Sequence, residues 1–218
     1  AGGRFYQLHL QASGDGGQTW GPGREISFPE TLDGENLEKG LFNNQRPFLC
    51  ALDGTLGLAW ERQLRTNPAR IYYAELDSEG AFLLAPEAVT EGAIAGQAPR
   101  VVRYRDGIRL FWSDKSRGEN QVFLGERQAT RWQRTQLSVL EGDSMAGASY
   151  FPQPIAQAEQ LYVFWENRVG QTSRLYFLEP DQTVAAPALQ AASYRPGGSS
   201  REEAVRYTWR YPSDSSGI

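Results

Sequence analysis

The chain has 218 residues, enough to bury a sizeable core as one domain or as one domain with a piece of another. Its formal charge is −4 and its mean hydropathy −0.53, with no apolar run near the roughly 18 residues of a membrane helix, which excludes a spanning helix and a nucleic-acid binder working through a basic face. One cysteine, Cys50, and one histidine, His9, make neither an internal disulfide nor a recognised zinc spacing, so no metal and no cofactor is expected.

Twenty-three glycines, 12 prolines and an abundance of aromatics (10 Phe, 10 Tyr, 6 Trp), without a long helical period, point to many short strands joined by tight turns. The first strand-like stretch runs from Phe5 to Leu10, with His9 reading as a packed or surface residue. It leads into Ser13-Gly14-Asp15-Gly16-Gly17-Gln18-Thr19-Trp20. Here Asp15 is placed to accept N–H groups of its own turn and Gly17 to supply a positive φ. Thr19 is expected to begin the outgoing strand and Trp20 to bury its ring against the sheet. The longest connection follows, Phe28 to Asn44, whose Glu30, Asp33, Glu35 and Glu38 match no calcium-loop spacing and read as a solvated connector.

From residue 47 the chain repeats. Pro47, Pro99 and Pro152 each precede a short apolar stretch, and Trp60, Trp112 and Trp165 each end a second one, spaced by 52 and 53 residues in both series. Ile71-Tyr72, Val122-Phe123 and Leu175-Tyr176 mark the next strand of each unit. In the first unit Pro47 to Ala51 and Leu56 to Trp60 read as a hairpin around Leu52-Asp53-Gly54-Thr55, because Asp-Gly between apolar runs favours that turn. Arg105-Asp106-Gly107 repeats the turn, and Gln157 to Gln160 replaces it without glycine. Polar loops (63–68, 115–120, 169–173) then lead to a third and a fourth strand. Four antiparallel strands in about 50 residues describe a β-propeller blade, which hides its apolar faces only by stacking on its neighbours. The alternating Arg100, Arg103, Arg105 and Arg109 read as a solvated strand edge.

The segment 13–20 matches Ser-x-Asp-x-Gly-x-Thr-Trp at every fixed position and so resembles the Asp-box of the sialidase (neuraminidase, BNR-repeat) superfamily of β-propellers. Asp77-Ser78-Glu79-Gly80, Ala129-Thr130-Arg131-Trp132 and Pro180-Asp181-Gln182-Thr183-Val184 keep only traces of it. The resemblance implies an all-β fold, a sialidase-like β-propeller fragment of about three and a half four-stranded blades, over residues 1–190. Residues 191–218 are expected to hold a linker and the first strand of a fibronectin type III or immunoglobulin-like module, on the pattern of Arg195-Pro196-Gly197-Gly198-Ser199-Ser200 and then Val205-Arg206-Tyr207-Thr208-Trp209. The rival reading lets residues 201–211 complete the N-terminal half blade.

In such a blade the loops before the first strand and after the second share one axial face. That face receives Gln45-Arg46, Gln97-Ala98 and Tyr150-Phe151, with Glu61-Arg62, Ser113-Asp114-Lys115 and Glu166-Asn167-Arg168. The ligand-binding candidates are therefore Arg46, Glu61, Arg62, Asp114, Tyr150, Glu166, Asn167 and Arg168. Sialidases hold the substrate carboxylate with three arginines and use a tyrosine paired with a glutamate, plus an acid-base aspartate. Arg46-Pro47 is similar to the Arg-Ile-Pro motif but lacks the isoleucine, and no position here carries a pattern that assigns the tyrosine. The resemblance thus implies a non-catalytic module of an exported (extracellular, cell-surface or periplasmic) multidomain protein that binds glycan or protein ligands. The alternative is a fragment of a glycoside hydrolase, an exo-sialidase, whose remaining active-site groups come from elsewhere.

Overall fold

The computed structural model describes residues 6–26, 31–32, 35–36, 42–64, 68–91, 95–140, 143–144, 146–157, 159–178 and 190–194. Its strands are β1 (His9–Leu10), β2 (Arg24–Glu25), β3 (Thr31–Leu32), β4 (Glu35–Asn36), β5 (Phe42–Ala51), β6 (Leu56–Leu64), β7 (Arg70–Leu76), β8 (Phe82–Ala88) and β9 (Gly96–Tyr104). They continue as β10 (Gly107–Arg117), β11 (Glu119–Gln128), β12 (Arg131–Gln136), β13 (Val139–Leu140), β14 (Asp143–Ser144), β15 (Ala148–Gln157), β16 (Gln160–Val169), β17 (Thr172–Leu178) and β18 (Gln190–Tyr194). Three four-stranded sheets result, β5-β6-β7-β8, β9-β10-β11-β12 and β15-β16-β17-β18, each antiparallel and each in chain order. The β1-β2 pair is half such a sheet and precedes the first. These are propeller blades, as the repeats of the sequence predict.

The sheets pack face to face through their second and third strands. Trp60 and Tyr72 of the first sheet bury against Leu8 and Ile26 of the half blade. Leu110, Trp112 and Phe123 of the second cover Ala59, Ile71 and Tyr73 of the first. Val163, Trp165 and Tyr176 of the third cover Phe111, Val122 and Leu124 of the second. Each tryptophan therefore faces the preceding blade. The alternate residues of the same strands face the following one, because successive side chains of a strand point to opposite sides. Arg103 and Arg105 are largely solvated, as expected, and make surface ion pairs with the hairpin turns of the flanking blades, Arg103 with Asp53 at 3.0 Å and Arg105 with Glu159 at 3.6 Å.

The prolines explain a shared irregularity. Arg46, Ala98 and Phe151, the residues directly before Pro47, Pro99 and Pro152, have φ of 51°, 53° and 54°. A positive φ is unusual for residues with a Cβ, and a following proline narrows the choice of backbone further. At each of these places the pairing with the second strand slips. A bulge costs a ladder bond that proline has no N–H to make, so the irregularity and the imino acid occupy the same site.

The Asp15 turn holds together as its residues predict, with two corrections. Asp15 accepts the Thr19 N–H at 2.9 Å and the Thr19 hydroxyl at 2.6 Å, Ser13 Oγ accepts the Gly17 N–H at 2.7 Å, and Gly17 has φ 89°. Those bonds hold the Asp15 carboxyl well below the usual carboxylate range. The outgoing strand, however, begins at Arg24 rather than Thr19, and Trp20, four residues short of that strand, is 61% exposed rather than buried. Asp77 makes a similar turn, accepting the N–H groups of Glu79 and Ala81 on either side of Gly80, which has φ 78°. The trace at 180–184 lies outside the described residues.

Burial ranks the tryptophans. Trp112→Ala, at a fully buried position, lowers the unfolding free energy by about 3–5 kcal/mol in urea titrations. Trp20→Ala changes it by less than about 1 kcal/mol in the same assay.

Candidate ligand-binding face

The sequence reading places the site residues on loops, and the structure instead sets them inside the inner hairpins. Arg46 lies in β5, Ala98 in β9 and Tyr150 in β15, at the bulges. Glu61, Arg62, Asp114, Glu166, Asn167 and Arg168 lie in β6, β10 and β16. Strand alternation then divides the candidates. Residues one beyond each tryptophan face the following blade, whereas residues two beyond share the tryptophan's side.

The second set is packed as structure. Arg62 is buried with its guanidinium 3.7 Å from the Phe42 ring centre and 5.7 Å from that of Tyr72. Asp114 is fully buried and saturated: it accepts the Trp112 indole N–H at 2.7 Å, the Ser116 N–H at 2.9 Å and an Arg134 N–H at 2.8 Å. Asn167, also buried, donates to the Ala146 carbonyl and to Ser149 Oγ. Burial thus spends the polar atoms of these three on the protein itself.

The remaining five candidates form two groups at equivalent places in the first and third blades. In the first group the exposed Arg46 donates to Glu61 Oε2 at 2.7 Å, with Gln45 Nε2 at 3.3 Å from the same oxygen. Glu61 Oε1 accepts the N–H of Ala98 at 2.7 Å. Glu61 is itself buried, so one carboxylate orders the Arg46 side chain and fastens the second blade's bulge to the first. In the third-blade group Arg168 chelates Glu166 through Nε at 2.7 Å and Nη2 at 3.0 Å, and its guanidinium lies 5.4 Å from the Tyr150 ring centre. The Arg168 hydrogen bonds hold the Glu166 carboxyl below its ordinary range and push the guanidinium up. Tyr150 and the half-exposed Phe151 have ring centres 5.7 Å apart. In the second blade the corresponding positions are Gln97, Ala98, Ser113 and the exposed Lys115, and the fully buried Ser113 Oγ has no hydrogen-bond partner among the described residues.

Two features escape the sequence reading. One is the positive φ before each proline, for which the recurrent X-Pro pair is the available signal. The other is the Glu61 to Ala98 link, whose partner is a backbone N–H that no residue type announces.

No protein-family model and no curated protein matches the chain. Among solved structures, a thermostable family-43 glycoside hydrolase aligns over 73% of this chain and 55% of its own, at 14% identity and a TM-score of 0.48. An α-L-arabinofuranosidase from Podospora anserina, in complex with cellotriose, aligns over 75% and 54%, at 14% identity and a TM-score of 0.46. A Bombyx mori GH32 β-fructofuranosidase, in complex with sucrose, aligns over 67% and 36%, at 13% identity and a TM-score of 0.45. The chain thus spans between about a third and just over half of the length of these structures, whose sugars are properties of those proteins.

The Glu61 link sets an expectation for stability. Glu61→Ala leaves the Ala98 N–H without an acceptor and costs about 1–3 kcal/mol, whereas Glu61→Gln keeps an acceptor oxygen and recovers most of that, both read from urea midpoints. The Glu166 pair sets the pH behaviour. A carboxyl with a lowered folded pKa stabilises above the ordinary glutamate value and loses that contribution as pH falls through the lowered one. Glu166→Gln accordingly flattens the urea midpoint against pH in the window just below the ordinary glutamate pKa, with Glu79→Gln as control.

Proposed function

We propose that the chain is a propeller module that binds acidic glycans at the bulged ends of its inner hairpins without hydrolysing them. The observation that carries this reading is the third-blade group: an aromatic pair, Tyr150 and Phe151, stands beside an oriented, half-exposed arginine, Arg168. Aromatic faces take the apolar side of a sugar ring, and a fixed guanidinium pairs with its carboxylate. Arg46, held by Glu61, presents a second guanidinium at the equivalent place on the first blade. The resemblance of segment 13–20 to the sialidase superfamily agrees with an acidic sugar as ligand.

Hydrolysis is left out of the reading because glycoside cleavage asks for one carboxyl to give a proton and a second group to attack or activate water. Glu61 and Glu166 are both committed to arginine, and Asp114 is fully buried and saturated. A carboxylate clamped by a guanidinium is a poor acid and a poor base, since the pair stabilises its ionised form.

Saturation-transfer NMR with a mixed pool of sialylated and neutral oligosaccharides tests this. Sialylated members show transfer, Arg46→Ala/Arg168→Ala removes it while the circular dichroism spectrum is retained, and no free sugar accumulates. Unchanged transfer in the double variant overturns the site. Release of free sialic acid overturns the non-catalytic reading and favours the glycosidase one.

A further inference from the structure

Four arginines that read alike in the sequence, Arg100, Arg103, Arg105 and Arg109, part company in the structure. Arg103, Arg105 and Arg109 each pair with a carboxylate, that of Asp53, Glu159 and Glu126 in turn. Arg100 is half-buried and pairs with no carboxylate among the described residues. Its Nη1 donates to the Pro99 carbonyl at 2.8 Å and its Nε to Gln153 Oε1 at 3.3 Å, and its guanidinium carbon lies 4.9 Å from the centre of the Phe48 ring. Burial pulls this guanidinium below its ordinary pKa.

The repeat sets the place of this group. Phe48, Arg100 and Gln153 each follow the proline of their blade, in β5, β9 and β15, the first strand of each sheet. First strands are the innermost of a propeller, around its central channel. Arg100 thus touches the inner strands of both flanking blades, two residues along β9 from the bulge at Ala98, a rise of roughly 7 Å. Its Nε and Nη1 meet neutral amide oxygens and a flat face meets an aromatic ring, while Nη2 has no partner among the described residues. Withdrawing a cation from water without an anion beside it costs stability, and the same unmatched charge strengthens the hold on an anion that reaches it. At the rim, by contrast, Arg46 and Arg168 already face Glu61 and Glu166.

We propose that Arg100 is the residue that selects an acidic ligand: a sugar seated on the bulged rim turns its carboxylate inward along β9 and pairs it with Nη2 of Arg100. The inference rests on the acidic-glycan reading for the nature of the ligand, and it adds the residue that tells an acidic sugar from a neutral one. Arg46 and Arg168 bring hydrogen bonds whose charge is already matched, and Arg100 brings the charge that is not. The ligand carboxylate then does for Arg100 what Glu61 does for Arg46. Phe48 and Gln153 hold the guanidinium from the two flanking blades, so it is oriented before a ligand arrives and loses little freedom on binding.

The test follows the side-chain Nε–H NMR signal of Arg100 in the full chain, assigned by its loss in Arg100→Met, as 3′-sialyllactose, digalacturonic acid or lactose is added. The proposal expects the signal to move with an acidic probe and to stay still with lactose. Calorimetry then shows the affinity for that acidic probe falling by about tenfold or more in Arg100→Met, the size of a lost charge-assisted hydrogen bond. Methionine keeps an unbranched stem against Phe48 and removes a half-buried charge, so Tm is unchanged or rises. A signal that ignores both acidic probes, or an affinity that Arg100→Met leaves unchanged, overturns the proposal; if Arg46→Ala/Arg168→Ala still abolishes binding, the acidic-glycan reading stands without Arg100. A Tm lowered by about 5 °C or more in Arg100→Met overturns it in favour of a structural arginine. A signal that moves equally in Arg46→Ala/Arg168→Ala supports Arg100 and overturns the rim site instead.

Discussion

A four-stranded sheet with apolar residues on both sides has no stable existence alone in water, and that constraint organises this protein. Trp60, Trp112 and Trp165 are each at most 1% exposed, and each is buried by a neighbouring sheet rather than by its own. Burying an aromatic ring of this size is among the largest single contributions a core residue makes. Cohesion therefore lies between blades, and the unit of stability is the junction rather than the sheet. The polar edges serve the same junctions. Glu61 reaches across to the second blade's backbone, and Arg127 with Trp132 of the second blade's outer half closes on Glu87 of the first.

The tryptophan indoles show how tolerant the repeat is of local variation. Trp60 donates to Asn44 Oδ1 at 3.1 Å, a residue of the neighbouring strand, and Trp112 donates to Asp114 on its own strand at 2.7 Å. Trp165 Nε1 has no partner among the described residues, because Asn167, the counterpart of Asp114, turns its amide to Ala146 and Ser149. Ring burial is thus common to all three copies, while the polar partner is solved differently each time. Packing energy selects the residue, and hydrogen bonding follows from whatever side chain stands nearby.

The fold was legible in the sequence to the extent that apolar periodicity writes it. Proline, tryptophan and the third-strand pairs mark the same three sheets that the structure contains, since burial on both sides of a strand demands those residue types at those intervals. Strand ends were less legible. β5 starts at Phe42 and β6 runs to Leu64, well beyond the apolar core of each, because backbone pairing continues through polar residues such as Gln45 and Glu61. The same extension displaced the candidate site from loops to strands. Once in strands, Glu61 and Arg62 had to point to opposite sides, so adjacent charged residues in the sequence could not remain a single cluster. Trp20 failed for the converse reason: the turn motif specifies its own hydrogen bonds but not what, if anything, packs against the residue that ends it.

The carboxylates that orient Arg46 and Arg168 each stand one residue beyond the tryptophan of their blade, and Glu61 also spans a junction through the Ala98 N–H. The arginine at the surface and the backbone bond at the interface therefore share one anchor in the first blade. The two positive-φ residues involved, Arg46 and Ala98, occupy equivalent bulges one blade apart, and Glu61 bonds to both. Ser113, which stands at the glutamate's position in the second blade, is shorter, and its hydroxyl has no partner among the described residues. The face is accordingly not a ring of identical sites: the first and third blades each hold an arginine against a glutamate, and the second carries Ser113 and the exposed Lys115 at the corresponding positions.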